Sequence, residues 1–134
     1  MNNENFGFEE LELWKKVRGF KKEVCKEARG FPGEEKYKLT DQTIRSSRSI
    51  NALIVEGHGR FTYPDQIHYC IQARGSLTET INHFIEAFDE GYISEEKLKY
   101  NKIKSKEIER LLNGYLISLR NKRDELKKKG NSEL

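Results

Sequence analysis

The chain has 134 residues, 35% hydrophobic and 35% charged, which suffices for one small domain with a single core and is too little for two. Lys and Arg number 25 against 22 Asp and Glu, a formal net charge of +3, so the surface is nearly balanced and is not that of a histone-like polycation. Only two prolines stand among many Leu, Ile, Glu and Lys residues, which predicts long uninterrupted helices and an all-α fold.

No stretch approaches the roughly 20 consecutive apolar residues of a membrane span. Met1 to Asn5 is polar and lacks the hydrophobic segment of a signal peptide. These features predict a cytoplasmic protein without a membrane partner. Cys25 and Cys70 fall within apolar helical patterns, far apart in sequence, which fits two small buried hydrophobes rather than a disulfide framework or a CxxC metal site.

The first periodic segment runs from about Glu9 to Arg29, with Leu13 or Trp14, then Val17, Phe20, Val24 and Ala28 forming one apolar stripe. Glu9, Glu10 and Glu12 complement the dipole of its first turn, and Gly30 with Phe31-Pro32-Gly33 supplies a stop. Gly19 within it is either tolerated or admits another backbone. A second helix is predicted from Thr40, read as its N-cap with Leu39 and Ile44 as a hydrophobic staple, to about Gly57. Its core face reads Ile44, Ser47, Ile50 or Asn51, and Ile54. Arg45, Arg48, Ala52 and Glu56 follow a neighbouring face, and Ser46, Ser47, Ser49 and Ala52 are small enough for other helices to approach closely.

Pro64 suits the first turn of a third helix, predicted to run to Glu90 and to bury Ile67, Cys70 or Ile71, Leu77, Ile81, Phe84, Ile85 and Phe88, with Gly75-Ser76 interrupting its middle. Gly91 closes it. Ser94, followed by Glu95 and Glu96, opens a fourth helix with Leu98, Ile108, Leu112, Tyr115 and Leu119 apolar; Asn101 and Ser105 fall on the same seam as a polar interruption. Four amphipathic helices joined by short turns predict an antiparallel up-down-up-down four-helix bundle. Residues 1–8 are a polar N-terminal extension, 9–120 the bundle and 121–134 a charged, mobile C-terminal tail.

The chemistry of known enzyme classes is not legible. His58, His68 and His83 form no HExxH or zinc-finger spacing, so no metal site is predicted. Gly57-x-Gly59-Arg60 lacks the strand and third glycine of a dinucleotide fingerprint, no GxxxxGK[ST] occurs, and no serine sits in a GxSxG elbow; no catalytic residue and no cofactor are expected. Glu56 and Glu79 lie on successive helices, where ion pairing with Arg45, Arg48, Arg60 or Arg74 is favoured over a catalytic carboxylate pair. What remains is a binding surface of arginine. Arg45, Arg48, Arg60 and Arg74, with His58, cluster around the second helix, its exit turn and the middle of the third, and Arg120 to Lys129 adds six basic residues against two acidic. The third helix from Asp65 to Glu90 holds five acids and one arginine, a segregation that also suits subunit pairing.

A family resemblance rests on an ordered set of motifs: Phe8-x-x-Leu11-x-Leu13-Trp14; Phe31-Pro32-x-x-Glu35-x-Tyr37-x-Leu39-Thr40-x-Gln42; Arg45, Ser49-Ile50, Ile54; Glu56-Gly57-x-Gly59-Arg60; and Ala73-Arg74-Gly75-Ser76-x-x-Glu79. In this order and spacing the chain resembles the four-helix-bundle proteins encoded in intervening sequences of 23S ribosomal RNA genes, over roughly its first three helices. The family is also similar to the accessory proteins of diversity-generating retroelements. The resemblance implies a cytoplasmic homopentamer, a ring with a central channel, that takes RNA or DNA and, more weakly, a protein partner such as a reverse transcriptase. It carries functional roles onto Arg45, Glu56, Arg60 and Arg74, and backbone-packing roles onto Gly57, Gly75 and Ser76. The chain departs from the family pattern at Ser46-Ser47-Arg48, where Ala-Ala and an apolar residue are usual, and at Asn51 and Leu53, which makes the second helix more polar and more basic.

Two readings follow. In the first, Arg45, Arg48, Arg60 and Arg74, repeated around an oligomer, contact phosphates of nucleic acid. In the second, the same arginines pair with Glu56, Glu79 and the acidic third helix across subunit boundaries, and the protein is a structural or protein-interaction module.

Overall fold

Four helices follow one another in the computed structural model, which describes residues 4–133, with side chains to residue 130. They are α1 (Glu12–Ala28), α2 (Leu39–His58), α3 (Tyr63–Asp89) and α4 (Glu95–Glu133), and no strand occurs among the described residues. Residues 1–3 of the predicted polar extension and Leu134 of the predicted tail lie outside the described residues.

Each boundary has a local cause. Gly7–Glu10 forms a 3-10 turn in which the Phe6 N–H donates to the Glu9 carboxylate at 2.7 Å, so α1 starts at Glu12 rather than Glu9. Helix α2 begins at Leu39, and Thr40 is not its cap: both side chains are buried, and Lys38 occupies the capping position without a side-chain bond. Burying Leu39 against the core draws the helix start earlier than hydroxyl chemistry alone predicts. Thr62 caps α3 by accepting from the Asp65 N–H at 3.3 Å, with Pro64 in the first turn as expected. Gly75-Ser76 does not interrupt α3, which is continuous. Ser94 caps α4 by accepting from the Lys97 N–H at 3.1 Å. The predicted boundary at residue 120 falls inside α4, because Lys, Arg, Glu and Leu beyond Arg120 are strong helix formers and no proline intervenes.

Successive helices run antiparallel. Ser46 meets Thr80, Ser49 meets Ser76 and Glu56 meets Tyr69, so α3 descends as α2 rises; Cys70 contacts Leu112 while Leu77 and Ile81 lie beside Lys102 to Glu109, and Glu27 contacts Asn101 while Lys15 to Glu23 lie beside Lys104 to Ile108, so α4 is antiparallel to both α3 and α1. The core combines Leu13, Val17, Phe20, Val24 and Ala28 of α1 with Ile50 and Ile54 of α2, Ile67, Cys70, Leu77 and Phe84 of α3, and Leu98, Ile108, Leu112, Leu116 and Leu119 of α4. Each large apolar side chain so buried contributes about 1.5–3 kcal/mol relative to exposure. Of the paired alternatives, Leu13 and Cys70 are core positions, whereas Trp14 is half-buried and Ile71 is 48% exposed. Cys25 and Cys70 are buried free thiols.

Of the four neighbouring helix pairs, α2–α3 has the most extensive contact and α1–α4 the least. Small polar residues account for the first: Ser46 Oγ lies 2.8 Å from Thr80 Oγ1 and Ser49 Oγ 2.9 Å from Ser76 Oγ. At Gly57 a Cβ would stand 2.8 Å from Tyr69 Cβ, so only glycine permits that approach. Gly19 and Gly75 face open space within this chain.

Candidate nucleic-acid interface

The outward face of α2 carries Arg45 and Arg48. Thr43, Ser46, Ser47, Ile50 and Ile54 point inward, and the helical period turns positions 45 and 48 to solvent. Arg45 is 78% exposed and reaches Asp41 at only 3.5 Å, one helical turn away. Such an exposed pair is worth well under about 1 kcal/mol and competes weakly with a phosphate. Arg48 is exposed and, among the described residues, has no ion-pair or hydrogen-bond partner for its side chain.

Arg60 sits differently. The turn after His58 places it over the ring of Tyr69, with its guanidinium carbon 4.9 Å from the ring centroid, and it donates to Glu56 at 3.0 Å and to the Tyr69 hydroxyl. Tyr69 in turn donates to Glu56 at 3.2 Å, and the Gln66 amide donates to the Arg60 carbonyl at 2.9 Å. The bond to Glu56, then the neighbouring Tyr69, hold the Arg60 guanidinium above its ordinary pKa. This is a closed cluster pinning the α2–α3 turn, with Glu56 occupied in it. Tyr69, which completes the cluster, carries no signal in the sequence beyond an aromatic residue on the predicted third helix.

Arg74 is exposed and, among the described residues, its side chain is also without a partner. It does not share a face with Arg45 and Arg48. Ser76 faces α2, and two residues along a helix is a turn of about 200°, so Arg74 lies toward the α4 side, one turn from Thr78 in the α3–α4 groove. The four arginines thus separate into a solvent-facing pair on α2, a pinned residue at the turn and an isolated residue on α3.

Ser76 bonds Ser49, and Glu79 lies 3.5 Å from Nε2 of the buried His83, one turn along its own helix. Glu56 sits beside Tyr69, ten residues up α3 from Glu79, about 15 Å along the axis, so the two carboxylates are not brought together. His83 is a site that sequence reasoning missed: its ring is buried with neither nitrogen hydrogen-bonded, between Glu79 and Glu86 at 3.5 and 3.9 Å. The Glu-x-x-x-His-x-x-Glu spacing is visible in the sequence; the burial is not. His58 is half-buried near Gly7, and no group of His, Cys, Asp and Glu able to hold a metal ion occurs among the described residues.

A second basic surface follows α4. Arg123 pairs with Asp124 at 3.1 Å, and Arg123, Leu126 and Lys127 border an open cleft whose other wall is Phe61 to Pro64 and Gln66. No helix among the described residues is long and apolar enough to cross a membrane.

The fold is shared with a protein of unknown function from the S23 ribosomal protein family of Bacteroides thetaiotaomicron VPI-5482, with a TM-score of 0.72 and 24% identity over 78% of this chain and 94% of that one. No curated protein matches the chain. Residues 9–114, spanning all of α1, α2 and α3 and half of α4, match the family model described as 23S rRNA-intervening sequence protein, and the chain belongs to that family.

Proposed function

We propose that this chain is a non-enzymatic, cytoplasmic protein that assembles into a homopentamer and binds the phosphate backbone of RNA or DNA. The observation that carries this reading is that Arg48, on the solvent face of α2 beside the loosely paired Arg45, and Arg74, on a separate face of α3, are exposed arginines whose side chains are unpartnered among the described residues. A guanidinium can bind a phosphate in a bidentate manner, and its planar fork loses less freedom per hydrogen bond than a lysine ammonium does. One subunit supplies few such contacts, and its net charge is only +3, so affinity depends on repeating the surface around an assembly. Arg60 is a structural member of this set, since Glu56 and Tyr69 already engage it.

The test is equilibrium binding of single- and double-stranded RNA and DNA to the wild type and to an Arg45→Ala/Arg48→Ala/Arg74→Ala variant, with assembly mass measured by sedimentation. The reading predicts a pentameric mass for both and a loss of about 1–2 kcal/mol of binding per arginine, similar for all sequences. The competing reading, arginines as ion-pair partners between subunits, predicts that the variant loses mass with no nucleic-acid binding by either protein.

A further inference from the structure

The turn between α2 and α3 presents an uncovered aromatic ring on an anchored backbone. Phe61 is fully exposed. Arg60, the residue before it, is held by Glu56 and Tyr69, and its carbonyl accepts from the Gln66 amide at 2.9 Å. Thr62, the residue after it, caps α3, and Pro64 fixes the first turn of that helix. With both neighbours tied down, little but the side-chain torsions of Phe61 is left to move.

Phe61 borders the open cleft between the start of α3 and the last third of α4, whose volume is about 660 Å³. Tyr63 and Leu126 add apolar surface, Leu126 being 60% exposed, and Arg123 and Lys127 line the α4 side. No carboxylate lines the cleft among the described residues. Arg123 gives its Nε–H to Asp124 at 3.1 Å and keeps its terminal nitrogens free, while the Lys127 ammonium has no partner among the described residues. Contiguous apolar surface rimmed by polar groups marks an interaction site. Here the apolar part is an aromatic face and the rim is cationic, which is the make-up of a single-strand platform: the ring stacks on a base and the cations hold its phosphates. An acidic peptide would satisfy the cations and leave the ring unused, and a duplex keeps its bases stacked on one another.

We propose that this cleft binds an unpaired stretch of RNA or DNA, one base stacking on Phe61 while Lys127 and Arg123 hold the flanking phosphates. The proposal rests on the nucleic-acid reading for the class of its ligand, but it uses none of Arg45, Arg48 and Arg74. Arg123, Leu126 and Lys127 lie beyond the residues 9–114 that match the family, so the cleft does not follow from that match.

Fluorescence anisotropy on the full-length protein tests the proposal, with labelled oligo-thymidylate of about ten nucleotides, an abasic strand of the same length and a blunt duplex, and with oligo-glutamate as competitor. The wild type is expected to bind oligo-thymidylate more tightly than the abasic strand. Phe61→Ala is expected to lower oligo-thymidylate affinity roughly tenfold and to leave abasic-strand affinity, melting temperature and assembly mass unchanged. Lys127→Gln is expected to weaken both single strands alike, and the Arg48→Ala/Arg74→Ala variant to keep the preference for bases over the abasic backbone. Equal affinity for the two single strands, or oligo-thymidylate binding indifferent to Phe61→Ala, overturns the cleft and leaves the arginine reading standing. A fall in assembly mass in Phe61→Ala would make the ring a contact between copies, and oligo-glutamate competing as strongly as unlabelled oligo-thymidylate would make the cleft a protein site; either result overturns the proposal. No binding of any strand overturns both readings.

Discussion

Glu27 is the most constrained ionisable side chain of the α1–α4 seam. Burial raises its pKa from the ordinary value near 4.5, opposed by the Asn101 hydrogen bond and the Lys97 ammonium 3.8 Å away, and one of its oxygens is buried without a hydrogen bond. A carboxyl whose folded pKa is raised stabilises the fold most below its unfolded pKa, and that contribution is lost as pH rises through the folded value. Glu27→Gln keeps an acceptor for Asn101 and removes the buried charge. Urea unfolding is therefore expected to show the variant gaining on the wild type at pH 7 and converging with it near pH 3, below the unfolded carboxyl range. Cys70 behaves in the same sense: burial pushes its thiol up to about 11, against the pull of Arg120. The thiolate is the reactive species, so mass spectrometry after iodoacetamide treatment at pH 8 is expected to find Cys70 unmodified in the native protein and alkylated in urea. At Gly57 the constraint is steric. A methyl group there meets Tyr69 Cβ at 2.8 Å, and Gly57→Ala is expected to destabilise by about 1–3 kcal/mol in the same unfolding measurement.

At the scale of the helices, Gly75 gives the opposite expectation. It lies mid-helix in α3 with nothing within 4 Å of a built Cβ. Gly75→Ala should therefore raise stability by about 0.5–1 kcal/mol, the ordinary gain of alanine over glycine in a helix. A loss of stability or of assembly mass would instead mark Gly75 as the point where another copy packs closely, the role that the family resemblance carries onto it. Legibility in the sequence likewise differs from element to element. The period of Leu13, Val17, Phe20, Val24 and Ala28 fixes a helix and its buried face, because only one side of a helix can meet a core. Hydroxyl capping is legible at Ser94, misleads at Thr40, where burial of neighbouring Leu39 sets the start, and goes unread at Thr62, where Pro64 alone marks the helix. The arginine cluster is less legible still. Whether Arg74 joins Arg48 depends on the rotation of α3 against α2, which the Ser46–Thr80 and Ser49–Ser76 contacts set from residues distant in sequence. Arg60 is absorbed by Tyr69 for the same reason.

At the scale of the molecule, charge is distributed unevenly. Helix α3 carries four acids and one arginine, whereas α1 carries six basic residues and three acids, and α4 continues the basic side through Lys127. On the proposed reading, these local basic surfaces would meet phosphates although the total charge stays small, and repetition in an assembly would convert weak contacts into useful affinity. Phosphate contacts carry no sequence information, so discrimination among nucleic acids of equal length and strandedness is expected to be slight. The most direct measurement is the dependence of nucleic-acid affinity on salt between about 50 and 200 mM, on the assembled protein and its Arg48→Ala/Arg74→Ala variant. A phosphate-binding arginine surface predicts a steep linear fall of log K with log salt, and a shallower slope in the variant at unchanged assembly mass. No binding at the lowest salt, or a slope indifferent to both arginines, would contradict it.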